Sequence, residues 1–491
     1  MQDLIEEPRW QPDDLGRPIP DSPHAVSVCL PTWRDNIGYE EGDPRVIARL
    51  RAGYPRFIYN PICRELFEVC RRRFASESEV CQVYPTRAAA DRCCRYFQEK
   101  SGEAARRAAC GFEDIQAVCF SLQHERIAKD YWQHAGEGVS SRCAEACLNP
   151  ESDSRGADDV VPILRERIAD VAGVHAECVC LFPSGMAAIA AVDRALGTLF
   201  SGQKTVQFGF PYVDSLKIQQ KFGPGVHLFP RGSDTELDSL AELLNREAVG
   251  GVFTEFPSNP LLGSPGLSRL TELTRRHGRP LVIDETVASF VNADVVPSAD
   301  VVCTSLTKFF SGVGDVMGGA VILNPSGSHY SELSELLVGV GEALLWGPDL
   351  VVLEQNSRDF AQRVRGINER AERLAEFLHE HPQVQRVYYP KFETPDAFRA
   401  FQRPGGGYGG LLSLTLHNEA ESAPRFFDAL RVCKGPNLGM TYTLACPYTI
   451  LAHYGELEFA ESCGMSRHLI RVSVGLEDAD DLIERFNVAL A

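Results

Sequence analysis

The stretch DVVCTSLTKFFSGVGDVMGG, residues 300–319, sets a single lysine, Lys308, where an apolar strand pattern gives way to hydroxyls, glycines and an aspartate. A lysine at a strand end is ordinarily solvated, and its small neighbours cannot shield it, so its meaning depends on what surrounds it. Between about Gly173 and Leu323 the runs CVCLF, VQFGF, GVFTEF, PLVIDE, DVVCTSL and GGAVIL recur between helical segments. That rhythm predicts an α/β fold with a mainly parallel sheet covered by helices. In such sheets ligands sit beyond the carboxyl ends of the strands, where these runs finish in polar residues.

Downstream, Leu353, Phe360, Val364, Ile367, Leu374 and Phe377 recur at near-helical spacing and predict one long helix between the large domain and a smaller one. QRVYYP, LLSLTL and HLIRVSVG then alternate with helical stretches up to Ala491, an α+β pattern. Upstream, the Pro- and Asp-rich start reads as a loose tail. The division that results is a flexible tail (1–24), an N-terminal extension (25–159), a large domain (160–345), a linking helix (346–384) and a C-terminal α+β domain (385–491). Within the extension, VCQVYPTRAAADRC (80–93) echoes CVCLFPSGMAAIAAV (178–192), each an apolar strand, a Pro-Ser/Thr turn and an alanine-rich helix start.

The chain has 491 residues, 44% of them hydrophobic, enough for two or three domains with their own cores. Its 67 acidic against 49 basic residues give a net charge of -18, which argues against nucleic acid and anionic membranes as partners. The densest basic run, Arg71, Arg72 and Arg73 with Arg87, Arg92 and Arg95, is flanked by acidic residues and reads as solvated helix surface. No apolar run approaches the ~20 residues of a membrane helix. The sixteen cysteines lie in apolar patterns without a CxxC pair, and read as small core residues with no zinc or other metal site. The acidic start MQDLIEEPRW is unlike a signal peptide, which points to the cytoplasm and free thiols.

FPSGMAAIAAV places Ser184, Gly185 and Met186 at a helix start directly after a strand, either a plain N-cap or, through its first amides and the helix dipole, a phosphate cradle. PLVIDETVASF ends a buried strand on Asp284; a carboxylate there must be paired, bound to a metal or aimed at a cationic ring nitrogen. VFTEFPSNPLL ends another with Ser258, Asn259 and Pro260, and Tyr212, in FGFPYVDSLK, follows a third. The tyrosine face can stack on a planar ligand. Pyridoxal 5'-phosphate uses such a set: a lysine for the Schiff base, a carboxylate for the pyridine nitrogen, a helix start for phosphate and an aromatic over the ring.

On PSGMAA, EFPSNP, VIDETVAS, SLTKFFSGVGDVMGG and LIRVSVGLED, the chain resembles the Cys/Met-metabolism family of pyridoxal phosphate enzymes from roughly residue 160 to 491. Before that, HAVSVCLPTWRDNIGYEEGDPRV, GYPRF and YWQHAGEGVSSR resemble the long, N-terminally extended cystathionine γ-synthases of fungal type. The resemblance implies a fold-type-I, aminotransferase-like architecture and a homodimer or homotetramer. It implies that Lys308 is the Schiff-base lysine, that Asp284 pairs with the pyridine nitrogen and that Tyr212 stacks on the ring. Ser184, Gly185, Met186, Ser305 and Thr307 would bind phosphate, Asn259 the ring oxygen, and Arg471 the substrate carboxylate in a two-point grip. A Tyr-x-Arg pair from the neighbouring subunit would complete the phosphate site. Tyr54-Pro55-Arg56 has that spacing, with Tyr131 and Arg142 as the alternative match.

Three positions depart from the family pattern. Asn437, in GPNLGMTYTLACPY, stands where serine is usual in the loop facing the lysine; Val313 replaces a histidine, and Glu285 follows Asp284 in place of asparagine. The resemblance implies γ-replacement on an O-acyl-L-homoserine, the acetyl ester, through a vinylglycine-type intermediate, with Lys308 shuttling protons and Tyr212 assisting. The nucleophile is L-cysteine or a carbon or nitrogen nucleophile of a specialised pathway, which Asn437, with both donor and acceptor, favours. Two other readings compete: a lyase acting by β- or γ-elimination on cystathionine-like substrates, and an idle relative kept for assembly, against which intact Lys308, Asp284 and Tyr212 weigh.

Overall fold

The structure is a computed structural model that describes residues 3–149 and 159–491. Residues 1–2 of the expected tail and 150–158 of the expected extension lie outside the described residues. Three sheets organise the chain. The N-terminal extension carries β1 (Glu79–Tyr84), β2 (Arg106–Ala109) and β3 (Gln116–Ser121), antiparallel in the order β1-β3-β2. The large domain holds β4 (Val179–Phe182), β5 (Thr205–Phe208), β6 (Val226–Phe229), β7 (Val252–Glu255), β8 (Leu281–Asp284), β9 (Val301–Thr304) and β10 (Gly319–Leu323), in the order β4-β10-β9-β8-β7-β5-β6. The C-terminal sheet follows the order β11-β12-β15-β14-β13, from β11 (Val384–Tyr388), β12 (Leu411–Leu416), β13 (Cys433–Lys434), β14 (Leu444–Pro447) and β15 (Ile470–Ser473).

Four of the six pairings in the large sheet are parallel, and only β10 runs against its neighbours β4 and β9. Helices cover both faces, so β5, β7 and β9 are buried along their whole length and read as continuous apolar runs. Edge strand β6 escapes the sequence pattern because its VHLF is only partly buried throughout. The register sets Glu255 of β7 beside Asp284 of β8, and Asp284 beside Cys303 of β9. The polar ends of three adjacent strands are thereby brought to one edge.

Six helices matter for the site: α1 (Arg87–Ser101), α2 (Glu125–Ala135), α3 (Gly185–Leu199), α4 (Val213–Lys221), α5 (Gly347–Asn356) and α6 (Phe360–Glu380). The linking segment is two helices rather than the single one expected. Its apolar period runs across the break, but Arg167 Nη1 donates to Glu354 O (2.8 Å) and Arg363 Nη1 to Asn356 O (2.8 Å). Two arginines thus satisfy carbonyls that an interrupted helix leaves open. The two echoing segments share their local geometry, since Thr86 accepts from Ala89 N at the start of α1 as Ser184 does from Ala187 N at the start of α3. Their sheets differ, β1 being antiparallel to β3.

Residues 3–24 are packed rather than loose, a correction to the flexible-tail expectation. Leu4 and Ile19 are buried with Cys29, Cys433, Met440, Tyr442 and Leu444, and Arg9 is fully buried. Backbone bonds Ile19 N→Ser27 O (3.0 Å), Cys29 N→Arg17 O (2.9 Å) and Val26 N→Gly314 O (2.8 Å) fasten the segment down. The segment's one short helical turn, Pro12–Asp14, adds little, but two apolar anchors and side-by-side backbone pairing suffice to seat it.

Candidate active site

Beyond β7, β8 and β9 lies a cavity closed on its far side by the C-terminal domain, and every expected site residue but Thr307 lines it. Thr307 is buried with its hydroxyl donating to Gly318 O (3.3 Å) and accepting from Gly318 N (3.1 Å), so it braces the turn.

Lys308 sits at the centre. Its Nζ donates to Tyr54 Oη (3.2 Å) and to Asn437 Oδ1 (2.5 Å), and it lies 4.6 Å from the Tyr54 ring centroid. Burial, with Arg471 and Arg56 nearby, holds its pKa below the ordinary lysine range despite the Tyr54 contact. For Tyr54 burial acts the other way, but Lys308 and Arg56 outweigh it and bring the hydroxyl below its usual value. Gly439, with φ +80°, lets the Asn437 loop come this close, since a Cβ there would stand 2.5 Å from Phe309 N. Asn437 itself is held at φ 149°, a conformation that favours glycine.

Asn437 also joins the lysine to an arginine. Arg471 Nη2 donates to Asn437 O (3.0 Å) and Nη1 to Asn259 Oδ1 (3.1 Å), with the guanidinium 4.6 Å from the Tyr448 ring centroid. Asn259 donates in turn to Tyr448 Oη (3.2 Å). At the floor, Asp284 Oδ1 accepts from Thr286 N (2.9 Å), and poor access to water raises its pKa. Glu255, one strand over, accepts from Tyr212 N (2.5 Å) and Asn259 N (2.9 Å); burial and the neighbouring Asp284 push it up to about 8. The sequence held a signal for it, a carboxylate in the otherwise apolar run VFTEF, which went unread.

Ser184 caps α3, accepting from Ala187 N (3.0 Å) and donating to Gly136 O (3.0 Å). The first amides of such a helix have no acceptor within it. Across from them stand Ser305 and Arg56, and Gly185 is required because a Cβ would lie 2.8 Å from that of Ser305. Arg56 Nη2 donates to Tyr212 Oη (2.9 Å), and Nη1 to Gln133 O (2.7 Å) and to Asp214 Oδ2 (2.5 Å). Asp214, fully buried, also takes His134 Nδ1 (2.9 Å) and Gln133 Nε2 (3.1 Å). Burial opposes its ionisation, but Arg56 and His134 hold it well below the usual carboxylate range.

Tyr54 and Arg56 of this chain both line the cavity that holds Lys308. Tyr131 and Arg142 are engaged elsewhere, with Glu137 and with Asp315 and Asp349. Asp214 and the residues of α2 that meet it were not singled out from the sequence, because a helix-start Asp and a His-Gln pair carry no periodic signal.

The donor set fits pyridoxal phosphate. A capped helix start, a serine and an arginine suit a phosphate; a carboxylate in a water-poor floor calls for a cation such as a pyridinium nitrogen; and a lysine with a lowered pKa suits a carbonyl partner. Mainly parallel strands whose carboxyl ends present these groups define the fold-type-I class of pyridoxal phosphate enzymes.

The chain belongs to the Cys/Met metabolism PLP-dependent enzyme family, whose model matches residues 153–491; a second model, the fungal trans-sulfuration enzyme N-terminal domain, matches residues 62–140. It is 34% identical to the cystathionine gamma-synthase of Neurospora crassa over 98% of both chains. It is also 34% identical to the cystathionine gamma-synthase-like enzyme iboG2 of Amanita muscaria, covering 97% of this chain and 96% of that one. A solved cystathionine gamma synthase from Xanthomonas oryzae pv. oryzae, in complex with aminoacrylate and cysteine, superposes with a TM-score of 0.60 at 25% identity, covering 70% of this chain and 89% of that one. The chain is a PLP-dependent enzyme of the cystathionine γ-synthase-like type.

Proposed function

We propose that the enzyme replaces the γ-substituent of an O-acyl-L-homoserine, the acetyl ester, with a nucleophile, releasing the carboxylic acid and forming a new bond to Cγ. The observation that carries this reading is the Arg471–Asn437–Lys308 chain: one residue joins the arginine fork to the amine through its carbonyl and its side-chain oxygen. An amino acid whose carboxylate is gripped by Arg471 would have its Cα on the side of the cavity that holds Lys308 Nζ.

Lys308, Asp284 and Tyr212 would hold the cofactor, with Ser184, Gly185, Met186, Ser305 and Arg56 suited to its phosphate and Asn259 to its ring oxygen. Bound pyridoxal phosphate supplies an electron sink that acidifies the Cα and Cβ protons of the amino acid. Lys308 Nζ, its pKa lowered by burial, would accept a proton and return it later. Tyr54 Oη, within 3.2 Å and with a lowered pKa, relays charge to that amine. Tyr212 stays protonated, because burial raises its pKa far above the usual tyrosine value; its role is to stack and to brace Arg56. The cavity wall also carries Phe57, Val213, Leu451 and Ala452, apolar side chains that would limit the access of water to a bound substrate.

Asn437 supports a nucleophile other than, or besides, L-cysteine, because its amide can orient a carbonyl or enol that a serine hydroxyl holds less firmly. Sixteen cysteines free of disulfides support a reducing compartment, the cytoplasm. The test is mass spectrometry of products from O-acetyl-L-homoserine with a panel of thiols, carbon acids and amines. A γ-substituted amino acid formed with one of them is the expected result. Acetate, ammonia and a 2-keto acid with no γ-substituted product would replace this reading with a lyase.

A further inference from the structure

The N-terminal extension has a core of its own, in which helix Pro61–Phe74 and α1 pack on β1 and β3 around Leu66, Phe67, Val83, Phe97 and Phe120. Seven of the sixteen cysteines fall within residues 62–140, a stretch none of whose residues lines the cavity around Lys308. All are free thiols. Such residues ordinarily serve as small core side chains, but two of them are placed to react with each other.

Cys70, in the last turns of helix Pro61–Phe74, has its Sγ 3.8 Å from that of Cys110, which follows β2. Arg73 Nη1 donates to Cys110 O (3.1 Å), and Cys110 N donates to Ile115 O (2.9 Å), so the β2–β3 loop is closed on itself and bound to the helix end. Cys81 of β1 interacts with Cys70 from the sheet side and pairs across the ladder with Cys119 of β3. Hydrogen bonds from the Cys110 and Cys81 thiols, with the charge of Arg73, stabilise the Cys70 thiolate more than burial opposes it, and its pKa lies below the ordinary thiol value. Cys110, which keeps the proton, is pushed the other way. Cys70 is only 4% exposed, whereas Cys110 is half-buried, so a small oxidant meets the pair on the Cys110 side.

We propose that Cys70 and Cys110 form a modification site for hydroperoxides, a dithiol that closes reversibly to a disulfide and ties the β2–β3 loop to helix Pro61–Phe74. Oxygen transfer from hydrogen peroxide to the Cys70 thiolate gives a sulfenic acid and hydroxide. The hydroxide takes the Cys110 proton, becoming water, and the Cys110 sulfur attacks that of Cys70, forming the S–S bond and expelling a second hydroxide. Two electrons pass from sulfur to oxygen, and a thiol donor reverses the change. The bond has a consequence beyond the pair. The tied loop carries Phe112, whose ring centroid is 6.0 Å from that of Trp346, the residue before α5. Fixing the loop therefore fixes the face through which the extension meets the large domain.

The test treats reduced, native holoenzyme with hydrogen peroxide, blocks the remaining thiols with iodoacetamide and digests without reductant for peptide mass spectrometry. The expected product is one linked pair of peptides, containing Cys70 and Cys110, lighter by two hydrogens than their sum and separated again by dithiothreitol. In Cys110→Ser the link is lost and dimedone labels Cys70 as a sulfenic acid. Amide hydrogen exchange in residues 110–115 of the wild type is expected to slow by about tenfold on oxidation, as a tied loop opens less often. The wild-type peptide map stands by itself if the variant does not fold. No Cys70–Cys110 link while other cysteines are oxidised, a link from Cys70 to Cys81 instead, or a link that forms only in urea would overturn the proposal. Unchanged exchange in the linked protein would overturn the tie.

Discussion

Asp214→Asn isolates the electrostatic centre of the contact among Arg56, α2 and α4. Wild-type Asp214 is fully buried and accepts from Arg56, His134 and Gln133 on its two oxygens. The amide keeps the volume but has one acceptor, so one oxygen's donors now face an NH2 group, and Arg56 loses its counter-charge in a site it cannot leave. Breaking a buried ion pair from one side costs about 3–5 kcal/mol, and the retained acceptor places this variant near ~3 kcal/mol, the scale of one unsatisfied charged donor. Chemical denaturation of the holoenzyme is the assay, run as a cycle with Arg56→Met and the double variant. If the pair acts as a unit, the double variant is more stable than the sum of the single losses by about 2 kcal/mol. A coupling below ~0.5 kcal/mol would refute the role given to Asp214.

Asp284→Asn should keep bound cofactor yet lose more than about tenfold in turnover, since a neutral amide cannot hold a pyridine nitrogen protonated; a smaller loss, read by steady-state rates, would assign that charge to Glu255. Asn437→Ser should go on releasing acetate from O-acetyl-L-homoserine while the product ratio between cysteine and a β-keto acid changes; an unchanged ratio removes Asn437 from nucleophile choice. Glu255 carries a pH dependence. Its pKa rises on folding from 4.5 to about 8, so the folded state holds the proton more tightly, and its contribution to stability is present below 4.5 and lost as pH climbs through about 8. Glu255→Gln lacks that slope, so the gap in melting temperature between variant and wild type should narrow as pH rises across this window; a constant gap would show that Glu255 is ionised throughout.

Much of the site could be read in advance because its parts sit at strand ends. Lys308, Asp284 and Asn259 follow apolar runs that only a buried parallel sheet requires, and Ser184 follows one directly before a helix. The order of strands in space then adds Glu255, which pairs with Asp284 across β7 and β8 and could not be assigned a partner without that register. Residues 3–24 hid their packing because Leu4 and Ile19 are isolated apolar residues among Pro and Asp, with no period to mark them. The surroundings of Tyr54 and Arg56 were hidden for a related reason. Their partners Asp214, Gln133 and His134 are far away in sequence, and only the return of α2 to α4 brings them together. The break between α5 and α6 leaves no trace in an apolar period that continues across it, since arginines from elsewhere in the chain and in α6 supply the missing bonds.

The account turns on Lys308 as the residue that carries the cofactor. Borohydride reduction of the holoenzyme, followed by proteolysis and peptide mass spectrometry, reads the attachment point directly. The prediction is a phosphopyridoxyl mass on the peptide containing Lys308, and none on the corresponding peptide of a Lys308→Ala protein that still folds. The label on another lysine, or full turnover by Lys308→Ala, would contradict it.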